Sequence, residues 1–265
     1  MRLSRLFPRR PWFGSVHPVR RLRRATLGLT QLVFPACCAG CDGELPDAAP
    51  AWALCDTCRA RLAPSDALRC GRCGAIAAHA AGDATGCDDC RPRSLGFDRV
   101  WVWGDYVGEI RAAVLRMKHA REEPLSAAIG HLLADRLCEP LAAWQADVVT
   151  CVPMHWSRRW ARGTNSAEIL AEIIAGRLRL PLAGRVVSRR RRTQPQAGLA
   201  PSERFNNVRG AFRVRSGVSF GDARVLLLDD VLTTGATCGE IARLFKRAGA
   251  KQVAVLVVAC APRPD

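Results

Sequence analysis

Val225-Leu226-Leu227-Leu228-Asp229-Asp230-Val231-Leu232-Thr233-Thr234-Gly235-Ala236-Thr237 decides how this chain is read. Val225 to Leu228 is short, apolar and uninterrupted, as a buried parallel strand should be. After Thr237 the spacing of Ile241, Leu244, Phe245 and Ala248 is helical, and Gly249 fits a C-terminal cap. Between them lies a tight loop of hydroxyl residues around one glycine. Backbone N–H groups and the helix dipole favour an anion at such a helix start. Gly235 permits close backbone approach, and Thr233, Thr234 and Thr237 add hydroxyl donors. Asp229 and Asp230 would repel a phosphate, so they face another group, and sugar hydroxyls, directly or near a magnesium ion, suit them. A simple N-cap accounts for Thr234 or Thr237 alone. Two acids plus Thr-Thr-Gly-Ala-Thr directly after a buried strand point instead to a sugar-phosphate ligand.

The chain of 265 residues contains 13 Cys. Eight form four Cys-x-x-Cys pairs: Cys38/Cys41, Cys55/Cys58, Cys70/Cys73 and Cys87/Cys90. Thirteen residues separate Cys41 from Cys55, and thirteen separate Cys73 from Cys87. Equal spacing predicts two ribbon-like knuckle pairs, each supplying a tetrahedral four-cysteine site, so about two structural zinc ions per chain. Pairing along the chain and crossed pairing are both open at this level, and Cys37 adjoins Cys38 as a competing ligand. Disulfides are the alternative. An odd cysteine count and no secretory pattern favour a reducing compartment, hence a cytoplasmic protein. The segment is poor in large aliphatic side chains, so metal would replace a core. Cys138, Cys151, Cys238 and Cys260 have apolar neighbours in sequence and read as packing residues.

Lys and Arg total 40 against 24 Asp and Glu, for a net charge of +16. The excess gathers in residues 1–24, with eight Arg and no acid, at Arg158, Arg159 and Arg162, and at Arg185 with Arg189 to Arg192. Such clusters favour polyanions: nucleic acid, pyrophosphate or a phosphorylated substrate. No apolar run approaches the ~20 residues of a membrane span. No apolar segment of about 7–15 residues follows the first arginines, so they do not open a signal peptide. Residues 1–31 read as a basic arm, with a short helix near Ala25 to Phe34. Residues 32–95 read as a double zinc ribbon and residues 96–265 as an α/β domain.

In that second domain Phe97 to Tyr106 reads as an edge strand or hairpin. Helices follow near Ile110–Lys118, Pro124–Leu137 and Thr164–Leu178, and strands at Asp147–Val152, Arg185–Ser188, Ala211–Val214 and Val253–Val258. The alternation predicts a parallel sheet flanked by helices, with ligands at the carboxyl ends of its strands.

Leu228 to Thr237 resembles the phosphoribosyl pyrophosphate (PRPP) motif of type I phosphoribosyltransferases. The resemblance implies that Asp229 and Asp230 bind the ribose hydroxyls while Thr233, Thr234, Gly235, Ala236 and Thr237 cradle the 5′-phosphate. Purine-salvage members carry Asp where this chain has Thr233, which weakens a purine-base reading. Pro153-Met154-His155 resembles the pyrophosphate loop of the same enzymes, and Arg158 and Arg159 would then stabilise the leaving pyrophosphate. A plain surface position is the alternative for His155. The segment Arg189–Gly210 stands where these enzymes have a mobile flap.

The zinc knuckles, Tyr106…Lys118, Arg162–Glu168, Gln194-Pro195-Gln196 and Arg204–Phe212 are similar to the ComF group of competence-associated phosphoribosyltransferase-like proteins, which includes the GntX proteins. Members usually carry Phe and Gln where this chain has Thr164 and Ser166. The resemblance implies a type I phosphoribosyltransferase fold with an N-terminal zinc-ribbon domain, a PRPP·Mg2+ ligand and a role in DNA uptake. Three classes stay open: a phosphoribosyl-transferring enzyme, a handler of single-stranded DNA working with competence proteins, and a PRPP sensor. An oligomer is compatible with each. Aromatics are few (one Tyr, seven Trp, eight Phe), so no base-stacking platform can be read.

Overall fold

The computed structural model describes residues 36–46, 49–50, 52–77, 86–157, 164–191, 193–194 and 200–262. The basic arm, Arg158, Arg159, Arg162 and Gln196 lie outside them. The elements are α1 (Asp56–Arg61), β1 (Arg99–Asp105), α2 (Gly108–Arg116), α3 (Glu123–Ala143), β2 (Val148–Cys151) and α4 (Ser166–Leu178). They continue as β3 (Val187–Arg189), α5 (Pro201–Val208), β4 (Phe212–Val214), β5 (Arg224–Leu232), α6 (Ala236–Arg247) and β6 (Gln252–Cys260).

Four strands form a sheet in the order β1-β6-β5-β2, every pair parallel. β3 and β4 make a separate antiparallel ribbon. The sheet is covered on both faces, which is why β5 and β6 are apolar runs rather than alternating ones. Val225, Leu226, Leu227 and Leu228 are completely buried. Successive side chains still point to opposite faces. Val225 and Leu227 join one core with Val253, Val255, Ile241 and Phe245, beneath α6. Leu226 and Leu228 join the other with Leu256, Leu133, Leu170 and Ile174, beneath α3 and α4.

The cysteine-rich segment straddles the edge of this sheet. Cys70, Cys73 and Cys90 belong to the α6-side core, whereas Cys38 and Cys58 belong to the α3/α4-side core. Along the outer edge of β1, Val100 donates its N–H to the Gly71 carbonyl at 2.7 Å, and Ser65 donates to the Trp103 carbonyl at 3.3 Å. The Trp103 indole donates to the Leu62 carbonyl at 2.8 Å. An ion pair of 3.0 Å joins Arg69 to Asp105. An edge strand with open backbone groups invites pairing with another chain, and here the ribbons occupy it.

Candidate functional site

The sequence reading ends the motif strand at Leu228. The structure carries β5 on to Leu232, so Asp229 and Asp230 are strand residues, both half-buried. Parallel pairing with β6 extends through Leu232↔Cys260, which holds the strand straight past the acids. Each carboxylate turns onto the next backbone amide: Asp230 N–H donates to Asp229 Oδ1, and Val231 N–H to Asp230 Oδ1, both at 2.9 Å. Burial, then the charge of Asp230, pushes the Asp229 carboxyl well above the usual carboxylate range. Cys238, in the first turn of α6, points its buried thiol at Asp229 Oδ2 from 3.6 Å. Burial and the Asp229 charge in turn push this thiol well up. On the open side, Lys118 Nζ lies 3.7 Å from Asp230 Oδ2.

The loop between β5 and α6 turns at Gly235, whose φ of 77° is left-handed. Gly239 donates to the Gly235 carbonyl at 2.7 Å, which starts the helical ladder. The amides of Ala236, Thr237 and Cys238 therefore precede it, as the first amides of any helix do. Thr234 Oγ1 accepts from Ala236 N–H at 3.4 Å. Thr233, Thr234 and Thr237 are half-buried, and Gly235 and Ala236 are buried. The result is a short cradle of amides and hydroxyls at a positive helix end, adjoining two carboxylates.

β2 lies beside β5 with Cys151 opposite Leu228, and Val152 N–H donates to the Leu228 carbonyl at 2.9 Å. The loop Pro153-Met154-His155 therefore leaves the sheet next to Asp229. His155 is buried, contrary to a surface position. Ser157 N–H donates to its Nδ1 at 3.3 Å, and Ser157 Oγ lies 2.8 Å from the same atom. An accepting Nδ1 places the proton of the neutral ring on Nε2. Trp156 beside it is 73% exposed. Thr164 and Ser166 are buried, and Asn165 between them donates to the Val152 carbonyl at 3.4 Å. The segment thus supports the β2 loop from below.

The eight knuckle cysteines form two groups able to hold a metal ion, Cys38/Cys41/Cys55/Cys58 and Cys70/Cys73/Cys87/Cys90. Pairing along the chain is therefore the one adopted, and Cys37 stands outside the first group. Within each group the sulfur atoms all lie within 4.8 Å of one another. The Cys41–Cys55, Cys70–Cys90 and Cys73–Cys87 separations are 3.9, 3.8 and 3.6 Å. Four thiolates around one tetrahedral ion with bonds of about 2.3 Å would stand about 3.8 Å apart, so the geometry fits. Burial pushes the Cys38 thiol up, but backbone N–H groups of Cys55, Gly40 and Cys41 outweigh it and bring it down to about 6. Cys70 is similarly brought down, against burial, to about 7 by the amides of Arg72, Cys73 and Cys87. Such amides favour the thiolate a metal requires.

Residues 120–264 match the family described as phosphoribosyl transferase domain. The DNA utilization protein YhgH of Salmonella typhimurium is 32% identical over 231 residues, 84% of this chain and 96% of its own length. Competence protein F of Haemophilus influenzae is 28% identical over 222 residues, covering 82% and 94%. This chain belongs to the ComF family of phosphoribosyl transferase-domain proteins. A solved allosteric regulatory enzyme of purine biosynthesis aligns over 55% of the ComF-family chain and 30% of its own, with TM-score 0.37 and 22% identity.

Sequence reasoning misses two features of the site. Cys238 reads as a packing residue, because nothing in a linear pattern shows that the first turn of α6 aims its thiol back at β5. Helix α5, between β3 and β4, is the other. Its signal is present: Pro201 opens it, and Glu203 accepts from Ala200 N–H at 2.8 Å.

Proposed function

We propose that the chain binds PRPP with Mg2+ at the β5–α6 loop and transfers its phosphoribosyl group. The observation that carries this reading is the joining of two half-buried carboxylates on β5 to an amide cradle at Gly235–Thr237. In this reading Asp229 and Asp230 hold the ribose hydroxyls, and Thr233 to Thr237 take the 5′-phosphate. Pro153, Met154 and His155 face the pyrophosphate, with His155 donating from Nε2, and Arg158 and Arg159 add charge. Mg2+ would supply charge neutralisation to the pyrophosphate, and a carboxylate pair with one strained charge gains from a nearby cation. The bond from ribose C1 to pyrophosphate oxygen breaks, its electron pair leaves with the pyrophosphate, and a bond forms from the nucleophile to C1. Asp229 and Asp230 then lie where positive charge develops on the ribose.

In sequence the units are an arm (1–31), a double zinc ribbon (32–95) and the phosphoribosyltransferase domain (96–265), with zinc as the ion of both cysteine groups. Relatives named for competence and DNA utilization support a role in DNA uptake, with single-stranded DNA and competence proteins as partners in the cytoplasm. The second reading, a PRPP-binding protein without turnover, is kept because no side chain of the site identifies a nucleophile.

Pyrophosphate release separates the two. PRPP with Mg2+ should yield pyrophosphate faster with the wild-type protein than with Asp229→Asn/Asp230→Asn protein. PRPP that binds but is not consumed in the presence of nucleobases, amines or DNA ends would leave the sensor reading.

A further inference from the structure

The two cysteine groups stand differently toward the phosphate loop. From Cys90 the chain runs through residues 91–97 directly beneath the loop and the start of α6. Arg93 donates from its guanidinium to the Thr234 carbonyl at 3.4 Å. The Leu95 carbonyl lies so close to α6 that a Cβ on Gly239 would collide with it. Gly96 faces the same residue, and its own Cβ would come within 2.5 Å of the Gly239 carbonyl. Phe97 is buried, and its ring edge would be 3.3 Å from a Cβ on Gly235. From α6, Arg243 donates to the Ser94 carbonyl at 2.9 Å.

The other end of this strap is tied to the cysteines. Arg72 donates to the carbonyls of Cys90 and Arg93 at 3.0 and 2.8 Å, and Arg93 N–H to the Cys90 carbonyl at 3.0 Å. The first cysteine group has different neighbours. The Gly40 carbonyl accepts from Arg116 of α2, and Trp52 stacks on His131 of α3 at 3.8 Å. Its buried cysteines belong to the core on the opposite face of the sheet.

We propose that the second cysteine group is the bearing of the phosphate loop. Metal at Cys70, Cys73, Cys87 and Cys90 holds residues 91–97, and these hold the loop amides in their binding arrangement, with Arg93 as a positioning residue. The first group anchors the ribbon to α2 and α3 and leaves the loop untouched. Phosphate affinity depends on amides already fixed in place, so a slack strap weakens it. The inference rests on the PRPP reading for its ligand, but not for its mechanics.

The test compares full-length Cys87→Ser/Cys90→Ser, Cys38→Ser/Cys41→Ser, Arg93→Ala and Arg93→Lys proteins by zinc content, amide hydrogen exchange and PRPP·Mg2+ affinity. The second-group variant should lose one zinc, exchange its 233–239 amides about tenfold faster without ligand, and bind PRPP about tenfold more weakly. The first-group variant should lose one zinc with loop exchange unchanged. Arg93→Ala should keep both zinc ions yet loosen the loop, and Arg93→Lys should recover part of the protection. Equal loop exchange in the two cysteine variants, or none above wild type in the second, would overturn the proposal. If wild type fails to bind PRPP while the loop still responds only to the second group, the coupling stands and the PRPP reading falls.

Discussion

The Asp229 carboxylate lies 3.6 Å from the buried Cys238 thiol and shares its strand end with Asp230. Burial and a like charge hold its folded pKa above the unfolded value. The folded state therefore binds more protons than the unfolded state between these two values. Stability is full below the unfolded value, about 4, and is lost as pH rises through the folded one. Asp229 thus destabilises the ligand-free protein near neutral pH, and a cation bound beside it would relieve that. Asp229→Asn should raise the ligand-free melting temperature at neutral pH, with the gap to wild type vanishing toward pH ~4. A lower melting temperature for the variant at pH ~7 would refute the assignment of strain to this carboxyl. The acids and the Thr-Thr-Gly-Ala-Thr loop are legible in sequence because a strand, a glycine turn and a helix start follow one another within a few residues. The Cys238 contact and the burial of His155 are not, since both depend on how a loop or helix returns against the sheet.

Among the elements, β1 shows why a cysteine-rich segment precedes this sheet. Its outer edge is closed by Gly71 and Ser65 rather than by another strand. The two knuckle groups belong to cores on opposite faces of the sheet, so metal held at both would organise both sides of one strand. Purified in reductant, the protein should carry about two zinc per chain, four thiolates to each ion. Chelation should expose β1 amides to exchange, and a metal-free protein with protected β1 amides would contradict this role. The Cys-x-x-Cys spacing predicts the knuckles, and the structure settles their pairing along the chain. The main strands and helices are legible from apolar runs and helical spacing. The end of β5 is misplaced in sequence because acids normally end a buried strand, whereas here parallel pairing with β6 carries the strand past them to Leu232.

At the scale of the whole molecule, the chain combines a carboxylate-and-amide site with a net charge of +16. Among the described residues no helix is long and apolar enough to cross a membrane. The eight arginines of residues 1–24 have no acid among them. Removing residues 1–24 should weaken binding to single-stranded DNA and flatten its salt dependence, the logarithmic slope falling by ~0.7 for each phosphate the arm neutralises. An unchanged slope in a fluorescence-anisotropy salt series would deny the arm that role. The overall architecture is legible because strand–helix alternation allows few sheets, but the sharing of both cores with the cysteine ribbons lies in tertiary packing alone. The central claim is that the β5–α6 loop is a working sugar-phosphate site. It is tested most directly by calorimetric titration of the zinc-loaded protein with PRPP and Mg2+ beside the Asp229→Asn/Asp230→Asn variant. Saturable binding by wild type, abolished in a variant that keeps its fold and zinc, is the predicted result. Equal binding by both proteins, or none by folded wild type, would contradict it.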